Sequence, residues 1–129
     1  MTKQIISTPA APAPAGPYSQ AVRVGGMVAV AGQVGIDPVT GDVAGDDITS
    51  QTRQAITNLE AVLGAAGATL ADVVRVGVFL TDLVDFAAMN EVYAELVPEP
   101  RPARTTVGVA LPGGLRIELD ALAIIDSER

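Results

Sequence analysis

The side chains missing from this sequence narrow its chemistry first. There is no histidine, cysteine or tryptophan, and the one lysine is Lys3, near the N-terminus. A Ser/His/Asp triad, a thiolate nucleophile, a Schiff-base lysine and His- or Cys-held metal sites all need groups that are absent. Chemistry therefore falls to Arg, Asp, Glu, Tyr, Ser, Thr, Asn and Gln, with backbone groups and water. Arg104 follows a proline-stiffened PEPRPA segment and opens a β-branched run, so its planar guanidinium stands at a strand end. That fork suits a carboxylate bidentately, although a surface or interface ion pair accounts for it as well. Glu118 lies mid-strand, expected on the strand that pairs with that of Arg104, where a carboxylate facing a cleft would orient or deprotonate a water. A solvated strand face shared with Arg116 and Asp120 is the plainer account. The Tyr18 phenol, after Gly16-Pro17, either hydrogen-bonds a ligand or covers a core edge. Asn90, beside an apolar helix stripe, either fastens a loop or lines a site.

The elements that must position these groups follow from periodicity. A first strand is expected over residues 4–7, and residues 8–17 hold four prolines, which favour an extended, ordered arm. Residues 19–24 and 27–34, rich in Val and Ala, flank Gly25-Gly26, a two-residue hairpin signal. Asp37-Pro38-Val39-Thr40-Gly41 reads as a turn. From an N-cap at Asp46 or Asp47, apolar residues recur at helical spacing through Ile56, Leu59, Val62 and Leu63 to a stop at Gly67. Residues 73–80 (VVRVGVFL) form a buried strand. A second helix starts at Asp85 as cap, carries Phe86, Met89, Asn90, Tyr93, Leu96 and Val97 on one face, and ends before Pro98. Residues 104–110 make a strand, Pro112-Gly113-Gly114 a hairpin turn, and residues 115–125 its partner, with Arg116, Glu118 and Asp120 alternating against Ile117, Leu119 and Ala121. The order is β-β-β-α-β-α-β-β, an α+β fold with one mixed sheet and both helices on one face. No Gly-rich phosphate-binding pattern and no internal repeat is present.

Bulk composition fits this picture. A chain of 129 residues is the size of a single domain spanning 1–129. It is 49% hydrophobic and 18% charged, so apolar surface is expected to meet another subunit. A net charge of −7 opposes the basic footprint needed on a phosphate backbone, which argues against nucleic acid as a partner. No stretch resembles a signal peptide or reaches the length of a membrane span, so neither a membrane nor an export route is expected.

One set of motifs goes further. Gly16-Pro17-Tyr18-Ser19-Gln20-Ala21-Val22, Ala31-Gly32-Gln33, Gln51, Asn58, the block VVRVGVFLTDLVDFAAMNEVY, Pro102-Ala103-Arg104 and RIELDALA occur in order along nearly the whole chain. Together they resemble the RidA/YjgF family. The resemblance implies a chorismate-mutase-like fold assembled as a homotrimer, with three clefts between neighbouring subunits. It also implies a cytoplasmic, cofactor-free deaminase without a metal, which hydrolyses enamines and imines such as 2-aminoacrylate and 2-iminopropanoate to 2-oxo acids and ammonia. On that resemblance Arg104 matches the carboxylate-binding arginine and Glu118 the water-associated glutamate. Tyr18 and Asn90 match cleft-lining positions, and Gly32 and Thr106 match site walls. Ala31 stands where many members have serine, and Thr106 where many have cysteine, which bears on substrate preference. Competing readings are a binding or regulatory protein that senses 2-oxo acids or amino acids without turnover, a ribonuclease, and a chorismate mutase suggested by fold alone.

Overall fold

The structure is a computed structural model and describes residues 2–126. In chain order the elements are β1 (Gln4–Ile6), β2 (Ala21–Val24), β3 (Met27–Val34), α1 (Ile48–Ala65), β4 (Val73–Leu80), α2 (Phe86–Leu96), β5 (Ala103–Gly108) and β6 (Ile117–Ile124). This is the sequence of elements that periodicity predicts, with β3 and β4 at the expected bounds and the other strands shorter at one or both ends. The β2–β3 hairpin turns at Gly25, whose φ of 58° only glycine adopts readily. The turn at Asp37 is also as expected, closed by the Gly41 N–H on the Asp37 carbonyl at 2.8 Å.

The sheet has six strands in the order β1-β2-β3-β6-β4-β5, and it is mixed because β4 and β5 run parallel while the other pairs are antiparallel. One expectation fails here. The last two strands do not form a hairpin around Gly113-Gly114: β5 takes the sheet edge beside β4, and β6 inserts between β3 and β4. A tight hairpin needs a short link, whereas the segment after Gly108 carries the chain past β4 before β6 begins. Glu118 therefore lies on a strand once removed from that of Arg104.

Both helices cover one face of the sheet. The inward residues Val76, Val78 and Leu80 of β4, and Ile117, Leu119 and Ala121 of β6, join Ile56, Leu59 and Leu63 of α1 and Met89 and Tyr93 of α2 in one core. No helix among the described residues is long and apolar enough to cross a membrane. Helix α1 starts at the Asp47 cap, whose Oδ2 accepts from the Ser50 N–H at 2.9 Å. It ends in a Schellman arrangement, with Ala68 N–H on the Leu63 carbonyl, Gly67 N–H on that of Gly64, and Gly67 at φ +82°. Asp85 occupies the start of α2 without the side-chain cap bond that its position suggested; its carboxylate faces Arg116 at 3.5 Å instead.

Two amides on α1 fix the loops around the sheet. Gln51, fully buried, donates to the carbonyls of Gly45 (3.1 Å) and Gly114 (3.0 Å) and accepts from Arg116 N–H at 2.7 Å. Asn58, also fully buried, donates to Val34 and Ile36 carbonyls, both at 2.9 Å. Buried backbone groups need such partners. Replacing Gln51 by Leu keeps the volume and removes all three bonds. We expect a loss of roughly 2–3 kcal/mol in urea unfolding, with faster hydrogen exchange at the Arg116 amide. Unchanged stability and unchanged exchange would show that the loop before β6 is held by something else.

Candidate active site

Alternation along β6 sends Ile117 and Leu119 into the core and turns Glu118 to the face that carries no helix. Opposite it, β3 is irregular between Val30 and Gln33, a bulge that contains Ala31 and Gly32. A Cβ at Gly32 would come within 2.7 Å of the Glu118 Cδ, so only glycine lets the carboxylate lie over this bulge. Glu118 and Gly32 share a cavity of about 370 Å³ with Tyr18, walled by Pro12 and Pro14 on one side and Leu111 and Pro112 on the other.

The proline arm is held in place by a side chain that sequence reading did not single out for this task. Gln20, buried, accepts from Thr8 N–H at 2.7 Å and donates to the carbonyls of Thr8 (3.0 Å) and Pro12 (2.9 Å). The arm lacks donors at its prolines, and this one amide bonds the Thr8 N–H and the carbonyls of Thr8, Ala11 and Pro12. Tyr18 ends the arm half-exposed. Its phenol oxygen accepts from Ala15 N–H at 3.1 Å, which leaves the phenolic proton for an incoming acceptor. Burial, then the nearby Asp120 carboxylate, pushes the Glu118 pKa above its ordinary value. Such a carboxyl holds its proton longer than a solvated one and suits proton transfer.

Arg104 stands elsewhere. It pairs in register with the inward-facing Val76, so it lies on the helix-covered face while Glu118, in register with Phe79, lies on the other. Its guanidinium sits over the Tyr93 ring at 4.7 Å from the centroid and over Phe86 at 5.7 Å, and its Nη1 is 3.9 Å from the Met89 sulfur. Arg104, Asn90, Tyr93 and Arg101 line a second hollow of about 270 Å³. Thr106, two residues on and facing the same way, has a buried hydroxyl without a hydrogen-bond partner and lines neither hollow. Ala31 flanks Tyr18 on the far side of the arm, with its carbonyl accepting from Gln33 Nε2 at 3.2 Å.

The structure thus brings Tyr18, Gly32 and Glu118 together, and separately Asn90 and Arg104; within one chain it does not unite the two groups. The seat of Arg104 was visible as the spacing of Phe86, Met89 and Tyr93 on α2, which was read as core alone. Among the described residues no group of three acidic side chains is arranged to hold a metal ion.

The Glu118 environment has a pH consequence. Its folded pKa lies above the ordinary 4.5, so the folded protein holds that proton more tightly than the unfolded chain. Stability relative to Glu118→Gln should fall as pH rises from 4.5 through the raised folded value. Denaturant unfolding of both proteins across acid to neutral pH reads this directly; a difference that moves in favour of the glutamate as pH rises would contradict it.

Comparison with known proteins identifies the family. A profile of the family described as Endoribonuclease L-PSP matches residues 8–125. A RutC family protein of Pyrococcus abyssi is 52% identical over 124 residues, covering 95% of this chain and 98% of that protein. A protein of Dermatophagoides farinae named 2-iminobutanoate/2-iminopropanoate deaminase is 46% identical over 125 residues, 96% of this chain and 98% of its own. The crystal structure of RidA from an Antarctic Psychrobacter matches with a TM-score of 0.91 at 46% identity, covering 95% of this chain and 99% of that one. Escherichia coli TdcF, solved with bound serine, matches with a TM-score of 0.88 at 38% identity, covering 95% and 99%. A match that spans the proline arm, the bulge and both strands carrying Arg104 and Glu118 places this chain in the RidA/YjgF family, the Endoribonuclease L-PSP group.

Proposed function

We propose that this protein hydrolyses reactive enamines and imines of 2-oxo acids, such as 2-aminoacrylate and 2-iminopropanoate, to the 2-oxo acid and ammonia. The site is a cleft completed by two copies of the chain, and the reading carries a cytoplasmic location and a homotrimer with it. The observation behind it is the division of labour on the sheet. Arg104 is a cation whose N–H fork meets no oxygen acceptor, only the weakly accepting Met89 sulfur, Glu118 is a carboxyl with a raised pKa over a cavity, and they lie on opposite faces. Relatives 41–46% identical carry the deaminase name. The face without helices exposes Met27, Val74, Val107 and Ile124, an apolar surface suited to a second copy.

The chemistry asks little of the protein. The carbon of an imine of a 2-oxo acid is already electrophilic, so orientation, a placed water and proton transfer suffice. Arg104 would hold the carboxylate through two parallel N–H bonds. Glu118 from the neighbouring copy would take a proton from water as its oxygen adds to the imine carbon. That proton passes to the nitrogen, the new hydroxyl then gives up its own proton to the same nitrogen by way of Glu118, the C–N bond breaks, and ammonia leaves as the carbonyl forms. An enamine must first gain a proton at its terminal carbon, which protonated Glu118 can donate. Tyr18, with its phenolic proton unengaged, would donate to the substrate from the cavity wall.

A coupled assay tests this, with the imine generated by a serine or threonine dehydratase and trapped by semicarbazide. Arg104→Ala should lose on the order of 100-fold or more in imine hydrolysis. Glu118→Gln should lower turnover while keeping affinity for pyruvate. Saturable pyruvate binding with no rate effect in the wild type would instead make the protein a sensor. The shared cleft has its own test: refolding Arg104→Ala and Glu118→Gln chains together should restore about a quarter of the clefts in a random mixture. Two inactive proteins that stay inactive when mixed would refute a site built from two copies.

A further inference from the structure

Arg104 differs from other arginines in how its charge is accommodated. Arg53, Arg101 and Arg116 each pair with a carboxylate, of Glu95, Glu99 and Asp85 respectively, and Arg75 donates to the Val76 carbonyl and the Thr105 hydroxyl. Among the described residues no carboxylate pairs with Arg104, and its one polar contact is the weakly accepting Met89 sulfur. A half-buried cation without a counter-ion needs another source of stabilisation, and a long side chain without an anchor loses orientation.

We propose that Tyr93, with Phe86 as the second wall, is a positioning residue that holds the Arg104 guanidinium by its ring face and so presents the N–H fork to a substrate carboxylate. This rests on the carboxylate-binding role given to Arg104 above. Phe86, Met89 and Tyr93 follow one another at helical spacing, so a single face of α2 builds the seat, with Asn90 beside it at the hollow. An aromatic face attracts a cation through its quadrupole and uses none of the N–H donors, whereas a carboxylate partner would occupy them. Phe86 is 43% exposed, an expense of apolar surface that its place over the guanidinium explains.

The ring acts here, and the hydroxyl does not. The Tyr93 hydroxyl is buried without a hydrogen-bond partner. Burial raises its pKa against the opposing charges of Arg104 and Arg101, so the phenol stays neutral and Arg104 gains no ionic partner from it. Phenylalanine at this position retains the interaction and leucine does not.

The experiment compares wild type, Tyr93→Leu, Tyr93→Phe and Phe86→Leu in two readouts. The first is the side-chain NMR signal of Arg104, assigned by its loss in Arg104→Ala, which a ring face shifts upfield. The second is pyruvate affinity by titration calorimetry. Tyr93→Leu should move the Arg104 signal toward its solvated position and weaken pyruvate binding by about tenfold, with Tyr93→Phe restoring both. Phe86→Leu, at a more exposed site that tolerates change, should act in the same direction by less, and it serves if Tyr93→Leu fails to fold. An unshifted Arg104 signal in wild type, unaltered signals in both leucine variants, or a Tyr93→Phe protein as poor as Tyr93→Leu would each overturn the proposal. If wild type binds no pyruvate and hydrolyses no imine while the Arg104 signal behaves as expected, the deaminase reading fails and the aromatic seat stands.

Discussion

A β-strand turns successive side chains to opposite faces, and in this protein that constraint decides what each strand can offer. Strand β6 shows it most clearly, because it lies between β3 and β4 and most of its residues pair with both. Ile117, Leu119, Ala121 and Ala123 fill the space under the helices, so Glu118 and Asp120 have no choice but the opposite face. Strand β5 is bound by the same rule through its parallel register with β4, and there it puts Arg104 and Thr106 under α2. A one-residue slip of β6 would place Glu118 in the core and a leucine in the cavity, and a slip of β5 would turn Arg104 away from α2. The hydrophobic core thereby sets the faces on which Arg104 and Glu118 stand.

Around that sheet, neutral amides do the fastening. Gln20, Gln51 and Asn58 are buried, and each bonds to backbone groups of irregular segments: the proline arm, the loops after β3 and the loop before β6. The carbonyls bonded by these amides lie at the ends of strands or in loops where the ladder stops, and the prolines of the arm donate nothing. An amide offers donors and an acceptor without a charge to desolvate, which suits this task better than a carboxylate or a guanidinium would.

How far the sequence discloses this depends on the range of the interaction. Local periodicity gives the order and type of every element, the Asp47 cap, the Gly67 stop and the polar alternation at Arg116, Glu118 and Asp120. Strand adjacency is non-local, and the Gly113-Gly114 pair, a good turn signal, suggests a β5–β6 hairpin that β6 forgoes for a place between β3 and β4. Because the faces of Arg104 and Glu118 can be compared only through β4, their separation is invisible until the sheet order is known. The amides Gln51 and Asn58 stand out as polar residues on an apolar helix, yet their partners are the carbonyls of distant loops, which carry no residue-type signal. The Arg104 seat is hidden for a related reason: Phe86, Met89 and Tyr93 satisfy the pattern of a core stripe, and only proximity to β5 gives them a second role.

The separation of Arg104 from Glu118 has an electrostatic logic. Placed on one face across neighbouring strands, a guanidinium and a carboxylate would pair. Pairing would pull the glutamate's pKa down and fill the arginine's fork, disabling both as partners for a small acid. On opposite faces neither happens: Glu118 sees burial and the like charge of Asp120, which raise its pKa, while Arg104 sees aromatic faces that leave its donors free. For the shared site proposed above, the same sheet that keeps the two groups apart in one chain also leaves each half without the ion pair that would disable it. A fold that brought the two together within one subunit would have to solve, by other means, a problem that alternation solves by geometry alone.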